Sequence, residues 1–569
     1  MAAPRAAGAG SIHDPSQGRP SALMRQPSMP RTAADTRCKR RLRNLTCAAI
    51  SLALLGLPAC GAPGPHGSRT DAHATTQPPL PATLTKQKVH WHPCAAPDRS
   101  EGQGAAPGSA WECASLRVPL DYAEPAGETI KLALIRTRAE RTDKRLGSLI
   151  FNFGGPGASG VATLPEYSGE LFRLRSRYDL VSFDPRGVGL SRGVTCLNGA
   201  DLDDYFALDP TPDTPAERDL LRKADREYVA ACRKNSGKVL PHLDTESAAR
   251  DIDLLRQVLG DKKTSYFGVS YGTQLGAVYA HLFPHKVGKL VLDAAVDPGL
   301  SPVQSDLQQT RGFQLALEHY MKNCARQTAG CPTGRGGQEG TDRITSLLRR
   351  LDAHPLPTAG DRRLTTHLAE LGVAAALYAS DGWSALTKGL SQAMDDHQGD
   401  ILLALADLYL GRDSQGHYST EQASHTAISC ADTSERISDR RAAQLLPQFL
   451  KASPVFGPGA AARLTECSGW PVRGKSAHPN VRAVGAGPIL VIGQTGDPAT
   501  PFAGARNLAR ALGDGVGVDI AVEGEGHGAY FSDNVCLTGL VDNYLLHQVV
   551  PPRGTQCRPS TSTGDSRAW

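Results

Sequence analysis

The sequence predicts an α/β chain in which a mostly parallel central sheet is interrupted by one large, mainly helical insertion. Three observations lead there. From about residue 115, short apolar runs alternate with longer amphipathic segments, the pattern of strands and helices taken in turn. Two of the runs, Leu149-Ile150-Phe151 and Pro488-Ile489-Leu490-Val491-Ile492, are continuously apolar, as parallel strands covered on both faces must be. Almost two hundred residues between Asp293 and Pro488 then show helical character without a comparable strand series.

Taken in order, strands are expected at 130–136, 148–153, 179–183, 265–269, 289–293, 488–492 and 518–522. A helix fits 245–259, where Ala249, Ile252, Leu255 and Val258 recur at helical spacing. Inside the insertion, 374–377, 401–409 and 442–450 are the clearest helical pieces. This divides the chain into a core over 86–300, a cap over 301–484, a second core segment over 485–560 and a tail over 561–569. A Gly-, Thr- and Pro-rich stretch over 61–85 has the composition of a flexible tether.

Charge and cysteine usage bear on location. The chain carries a net +5, but residues 1–60 hold nine Lys or Arg against Asp14 and Asp35, leaving the rest at about −2. No basic footprint for nucleic acid remains outside the leader. Within it, Lys39-Arg40-Arg41-Leu42-Arg43 precedes an apolar run over 45–57 and small residues, the layout of an export signal too short to stay as a membrane span. Leu57-Pro58-Ala59-Cys60 is similar to a bacterial lipobox, which makes Cys60 a candidate for lipidation and membrane anchoring. Pro58 is unusual in that motif, so simple cleavage and release stays open. Ten cysteines follow Cys60, and an even count in an exported chain favours five disulfides. Sequential pairing would close short local loops, with Cys324–Cys331 the tightest. No cysteine or histidine cluster has metal-site spacing.

The chemistry begins at Gly268-Val269-Ser270-Tyr271-Gly272, between an apolar strand and a helix-compatible run. Five such letters alone are weak, but a turn sharp enough to expose a serine leaves no room for side chains on its flanks. That context marks Ser270 as a nucleophile and the fold as an α/β-hydrolase, whose cap enters between core strands 6 and 7. A serine nucleophile needs a base, and the base an orienting acid, in the chain order Ser, Asp, His. Asp497 and His527 each follow an expected strand, and strand C-terminal ends are where α/β sheets build their sites. Asp293 also follows a strand and competes with Asp497 for the acid role. The oxyanion donors expected are the Tyr271 N–H and, from Gly154-Gly155-Pro156-Gly157, that of Gly155. Arg186, in Asp184-Pro185-Arg186-Gly187, is expected to pin its turn by hydrogen bonds to carbonyls.

With these residues assigned, the chain resembles the secreted tripeptidyl aminopeptidases within the prolyl aminopeptidase-like serine peptidases. GGPG (154–157), DPRGVGLS (184–191), GVSYGTQLGAVYA (268–280), VLDAAVDP (291–298), GDPATP (496–501) and GHG (526–528) occur in that family's order. Ala427-Ile428-Ser429-Cys430-Ala431-Asp432 and a terminal region ending near Cys557 extend the match to about 86–560. The resemblance implies release of short peptides from free N-termini, through a serine acyl-enzyme and without a cofactor. Phe153 stands where strict prolyl enzymes carry His, which argues against proline-only cleavage. An exopeptidase must also neutralise a substrate ammonium, and Asp381, Asp432 and Glu435 are the cap carboxylates considered for this; the substrate-binding set stays unknown. A carboxylic ester hydrolase with the same triad is the alternative, and a non-catalytic, lipid-anchored binding protein a more distant one. Ser270 occupies the position where epoxide hydrolases and dehalogenases need Asp.

Overall fold

The computed structural model describes residues 78–102, 105–327 and 330–559. Ten strands form one sheet: β1 (His92–Pro93), β2 (Trp111–Pro119), β3 (Thr129–Thr137), β4 (Gly147–Asn152), β5 (Tyr178–Phe183), β6 (Thr264–Val269), β7 (Val287–Asp293), β8 (Ile489–Gly496), β9 (Gly517–Glu525) and β10 (Thr555–Cys557). Their order is β1-β2-β3-β5-β4-β6-β7-β8-β9-β10. The ladders from β1 to β5 are antiparallel, and every ladder from β5 to β10 is parallel. The central strands are buried along their length, β4 and β5 at every residue, because helices cover both faces. Leu149, Phe151, Phe267, Val291 and Leu490 fill one side, and Ile150, Tyr266, Leu290, Leu292 and Val491 the other.

Between β7 and β8 the chain runs through helices from Pro302–Gln327 to Gly457–Arg463, with no strand of the sheet among the described residues. Setting aside the short edge pieces β1 and β10, this insertion falls between the sixth and seventh strands. It has an apolar centre of its own, including Leu317, Met321, Ile344, Leu347, Leu368 and Leu402. The helix at Thr245–Leu259 has the expected bounds, capped by Asp244 at its start and by a left-handed Gly260 at its end.

Three expectations change. β2 was not among the expected strands; its outward positions carry Glu112, Ser115 and Arg117, so it shows no continuous apolar run. The tether does not extend to residue 85, because Ala82–Thr85 is helical and Leu84 is buried in the core. Gln87 fastens that segment further, exchanging hydrogen bonds with the Arg117 backbone at 2.8 and 2.9 Å. β8 and β9 also run on to Gly496 and Glu525, past their expected ends. The leader and Cys60 lie outside the described residues.

Five disulfides close neighbouring cysteines: Cys94–Cys113, Cys196–Cys232, Cys324–Cys331, Cys430–Cys467 and Cys536–Cys557. A polar tie sits deep in the core. Arg186 is wholly buried and forms a two-pronged pair with Asp251, both prongs at 2.8 Å. Its other donors reach the carbonyls of Pro119, Leu120 and His242, and Tyr122 donates to Asp251 at 2.8 Å. The guanidinium thus joins the end of β2 to the segment before the 245–259 helix. Removing one partner strands a charge away from water. Asp251→Ala should therefore lower unfolding stability by about 3–5 kcal/mol in denaturant titration, a larger loss than replacing both partners with apolar residues.

Candidate active site

Ser270 sits between β6 and the helix Tyr271–Leu282, with φ 58° and ψ −125°, in the left-handed half of backbone space. The glycines around it are there for space. A Cβ on Gly268 would lie 2.6 Å from the Gly272 carbonyl carbon, and one on Gly272 would lie 2.6 Å from the Asn152 carbonyl oxygen. Gly154 is as constrained, since its Cβ would fall 2.6 Å from the Val269 carbonyl oxygen and 2.9 Å from the Ser270 Cβ. The turn is held by Ser270 N–H donating to the Asp293 carbonyl at 3.0 Å and by Thr273, whose N–H and Oγ1 both donate to the Ser270 carbonyl.

The structure brings Asp497 and His527 together. His527 Nδ1 lies 2.9 and 3.0 Å from the two Asp497 carboxylate oxygens. Asp497 is 2% exposed and accepts further hydrogen bonds from the Ala499 and Thr500 N–H groups and from Thr500 Oγ1. Those donors fix the carboxylate, which in turn holds the imidazole with Nδ1 protonated and leaves Nε2 for proton transfer. The cap takes part, since His527 N–H donates to the Tyr378 carbonyl at 2.7 Å and the Tyr378 ring meets the imidazole edge-on at 5.5 Å. Burial is the strongest single influence on His527 and disfavours its cation. The charge and hydrogen bond of Asp497, with the Asp293 charge beyond, outweigh it and lift the imidazole above the ordinary 6.5.

Asp293, the competing acid, is placed differently. It is fully buried and accepts from the N–H groups of Ala294, Ala529 and Tyr530 at 2.8–3.1 Å. Burial pushes its carboxyl up to about 6. Its oxygens hold the loop just after His527, and it is Asp497 that accepts from the imidazole Nδ1.

Ser270, His527, Tyr271 and Gly155 all line one cavity of about 1380 Å³ beneath the cap. Gly155 has φ 97°, a conformation side chains avoid, and a Cβ there would fall 2.7 Å from the Gly157 nitrogen, so only glycine fits this turn. Of the carboxylates considered for ammonium binding, Asp432 and Glu435 line this cavity, whereas Asp381 is exposed on a short turn outside it. Sequence reasoning missed Thr500, Tyr378 and the cavity acids Glu421, Glu370 and Asp306. Thr500 was visible within GDPATP; the others carry no local signal, because distant packing brings them to the cavity.

A strand-to-helix serine, a buried acid on a histidine and glycine-rich amides around one cavity are the parts of an α/β-hydrolase. Comparison with known proteins gives the more particular assignment. Residues 453–557 match the family model described as TAP-like protein. The chain is 37% identical over 489 residues to Serine protease Hip1 of Mycobacterium tuberculosis, covering 83% of this chain and 91% of that one. It is 36% identical over 536 residues to Carboxylesterase B of the same organism, covering 91% and 99%. Tripeptidyl aminopeptidase of Streptomyces lividans is 31% identical over 508 residues, covering 87% and 91%. The chain is a serine hydrolase, and it belongs to the tripeptidyl aminopeptidase-like family of serine peptidases.

If His527 is the base, it works only when neutral, so activity should rise with pH through its titration. The acid limb of kcat/KM should then lie above the ordinary histidine value of 6.5. Asp497→Asn removes the charge that offsets burial, so the limb should move to lower pH while kcat falls by about 10³–10⁴-fold. A limb that stays in place in that variant would separate Asp497 from the titrating base.

Proposed function

We propose that this chain is an exported serine exopeptidase that releases short peptides, tripeptides foremost, from free N-termini. In this reading Ser270 Oγ passes its proton to His527 Nε2 as it attacks the scissile carbonyl. The resulting oxyanion is met by the N–H groups of Tyr271 and Gly155. The imidazolium then protonates the departing amine, leaving the released peptide's carbonyl as an ester on Ser270. Water, deprotonated by the same imidazole, hydrolyses that ester and returns the proton to Ser270.

The observation that carries this reading is the cavity itself. It is large enough for a short peptide, and the inserted helices roof the serine against folded chains. Carboxylates outnumber arginines in its lining; Arg463 lies beside Glu370 at 3.9 Å, whereas Glu421 and Glu435 have no such ion pair among the described residues. Burial alone holds Glu421 above the usual carboxylate range, and no side-chain hydrogen bond to it is seen among the described residues. Such carboxylates favour a cationic guest, and the amino end of a peptide is one. Kinship with proteins named Serine protease Hip1 and Tripeptidyl aminopeptidase points the same way. Export is supported by five disulfides, which persist in oxidising compartments, and by the leader. Lipidation at Cys60 would anchor the protein to the envelope.

An esterase reading has one specific support, the 36% identity to Carboxylesterase B over nearly the whole of both chains. The two readings part at the substrate's amino end. An ammonium held by buried carboxylates loses charge-assisted hydrogen bonds when acetylated, each worth about 1.5–3 kcal/mol. Tripeptidyl-arylamides with free N-termini should therefore exceed their N-acetylated forms roughly ten- to more than a hundredfold in kcat/KM. They should also exceed short acyl esters when measured side by side. Equal rates on free and acetylated peptides would remove the aminopeptidase assignment and leave the hydrolase.

A further inference from the structure

One motif is not explained by the triad, Ala427-Ile428-Ser429-Cys430-Ala431-Asp432. It ends the cap helix Glu421–Asp432, and that helix is fastened to the core rather than resting on it. At its start, Thr420 Oγ1 accepts from the Gly189 N–H at 3.0 Å. One turn on, Ser424 Oγ donates to the Gly187 carbonyl at 2.6 Å. Near its end, Cys430 is tied to Cys467, a link within the cap.

One end meets the Gly154–Gly157 loop, and the other reaches Tyr271 through Thr245. At the N-terminal end, the Glu421 carbonyl and the His425 N–H fill the space where Gly157 would carry a Cβ, the second at 3.2 Å. The helix therefore packs directly on the Gly154–Gly157 loop. At the C-terminal end, Asp432 Oδ1 accepts from Thr245 N–H at 2.7 Å and Oδ2 from Thr245 Oγ1 at 2.6 Å. Burial raises the Asp432 carboxyl to about 7; once ionised, it can only accept the single Thr245 hydroxyl proton. The 2.6 Å contact between Thr245 Oγ1 and the Tyr271 hydroxyl must then be donated by tyrosine. With Asp432 ionised, the chain runs from Tyr271 through Thr245 to Asp432. No ion pair to Asp432 is seen among the described residues. Its charge is met by these donors and by the N-terminus of the 245–259 helix, with Gln274 Nε2 more distant at 3.4 Å.

We propose that helix 421–432 braces the oxyanion hole at both ends, with Asp432 the positioning residue that locks Tyr271 through Thr245. This rests on Ser270 being the nucleophile. A donor N–H acts only when aimed where the oxyanion forms, and Tyr271 carries its N–H and its locked ring on one residue next to the serine. The brace serves amide and ester chemistry alike, since both pass through the same oxyanion.

The test compares Tyr271→Phe, Asp432→Asn and the double variant, on a free tripeptidyl-arylamide, its acetylated form and an acyl ester. Each single variant should lower kcat by about ten- to a hundredfold on all three substrates, less than outright loss of a donor, with KM changed no more than about twofold. A peptide aldehyde, which forms a tetrahedral adduct, should lose affinity by the same factor. The double variant should be no worse than the weaker single one, because both break one chain. Thermal unfolding checks that the variants fold, and if Asp432→Asn does not, Tyr271→Phe carries the test alone. Unchanged kcat in folded Tyr271→Phe overturns the proposal. So does a rise in KM confined to free-amino substrates in Asp432→Asn, which would make Asp432 an ammonium ligand. Ser270→Ala is run alongside, and substantial activity there would remove the nucleophile reading rather than the brace.

Discussion

Ser270 occupies a backbone conformation that costs a side-chain-bearing residue roughly 1–3 kcal/mol, and it stays there only because its surroundings allow no other path. β6 enters the turn from the middle of the parallel sheet, and helix 271–282 leaves it packed against the same sheet. The two must be joined within one residue. That constraint dictates Gly268, Gly272 and Gly154, each of which would drive a Cβ into backbone or into Ser270 itself. It also places the start of helix 271–282 directly beside the serine, with the positive end of its dipole there. The cavity, the cap and the histidine loop are arranged around a point fixed by the sheet.

Two carboxylates at neighbouring strand ends show how environment divides labour. Asp293 ends β7, wholly enclosed, and its oxygens are occupied by N–H groups on either side of the site. Asp497 follows β8, accepts two backbone N–H groups and a hydroxyl, and still has both oxygens within reach of His527. The first sets where the histidine loop lies, and the second sets how the imidazole points. The Arg186–Asp251 pair does comparable structural service deeper in the core, where all its polar groups find partners.

Much of the core could be read from the sequence because buried parallel strands announce themselves as apolar runs, and because sites in such sheets gather at strand ends. Ser270, Asp497 and His527 each follow a strand, and the glycine-flanked turn with the Ser, Asp, His order brought them forward, although Asp293 follows a strand too. β2 escaped because its outward-facing polar residues break the apolar run. Residues 78–85 have a linker's composition, yet Leu84 and Gln87 fasten them to the core through contacts across some thirty residues. The cap was harder still. Its helices were visible, but which carboxylates face inward depends on packing between distant helices; Asp432 lines the cavity and Asp381 does not. The disulfides followed the simplest pairing because each joins neighbours along the chain.

The strained serine after β6 is proposed as the nucleophile, activated by His527. Covalent labelling with a fluorophosphonate, followed by peptide mass mapping, tests this most directly. One adduct should form, on the peptide carrying Ser270, and hydrolytic activity should fall in proportion to its extent. Labelling should slow sharply in a folded His527→Ala protein. An adduct on another residue that abolishes activity, or full activity in protein fully labelled at Ser270, would contradict the account.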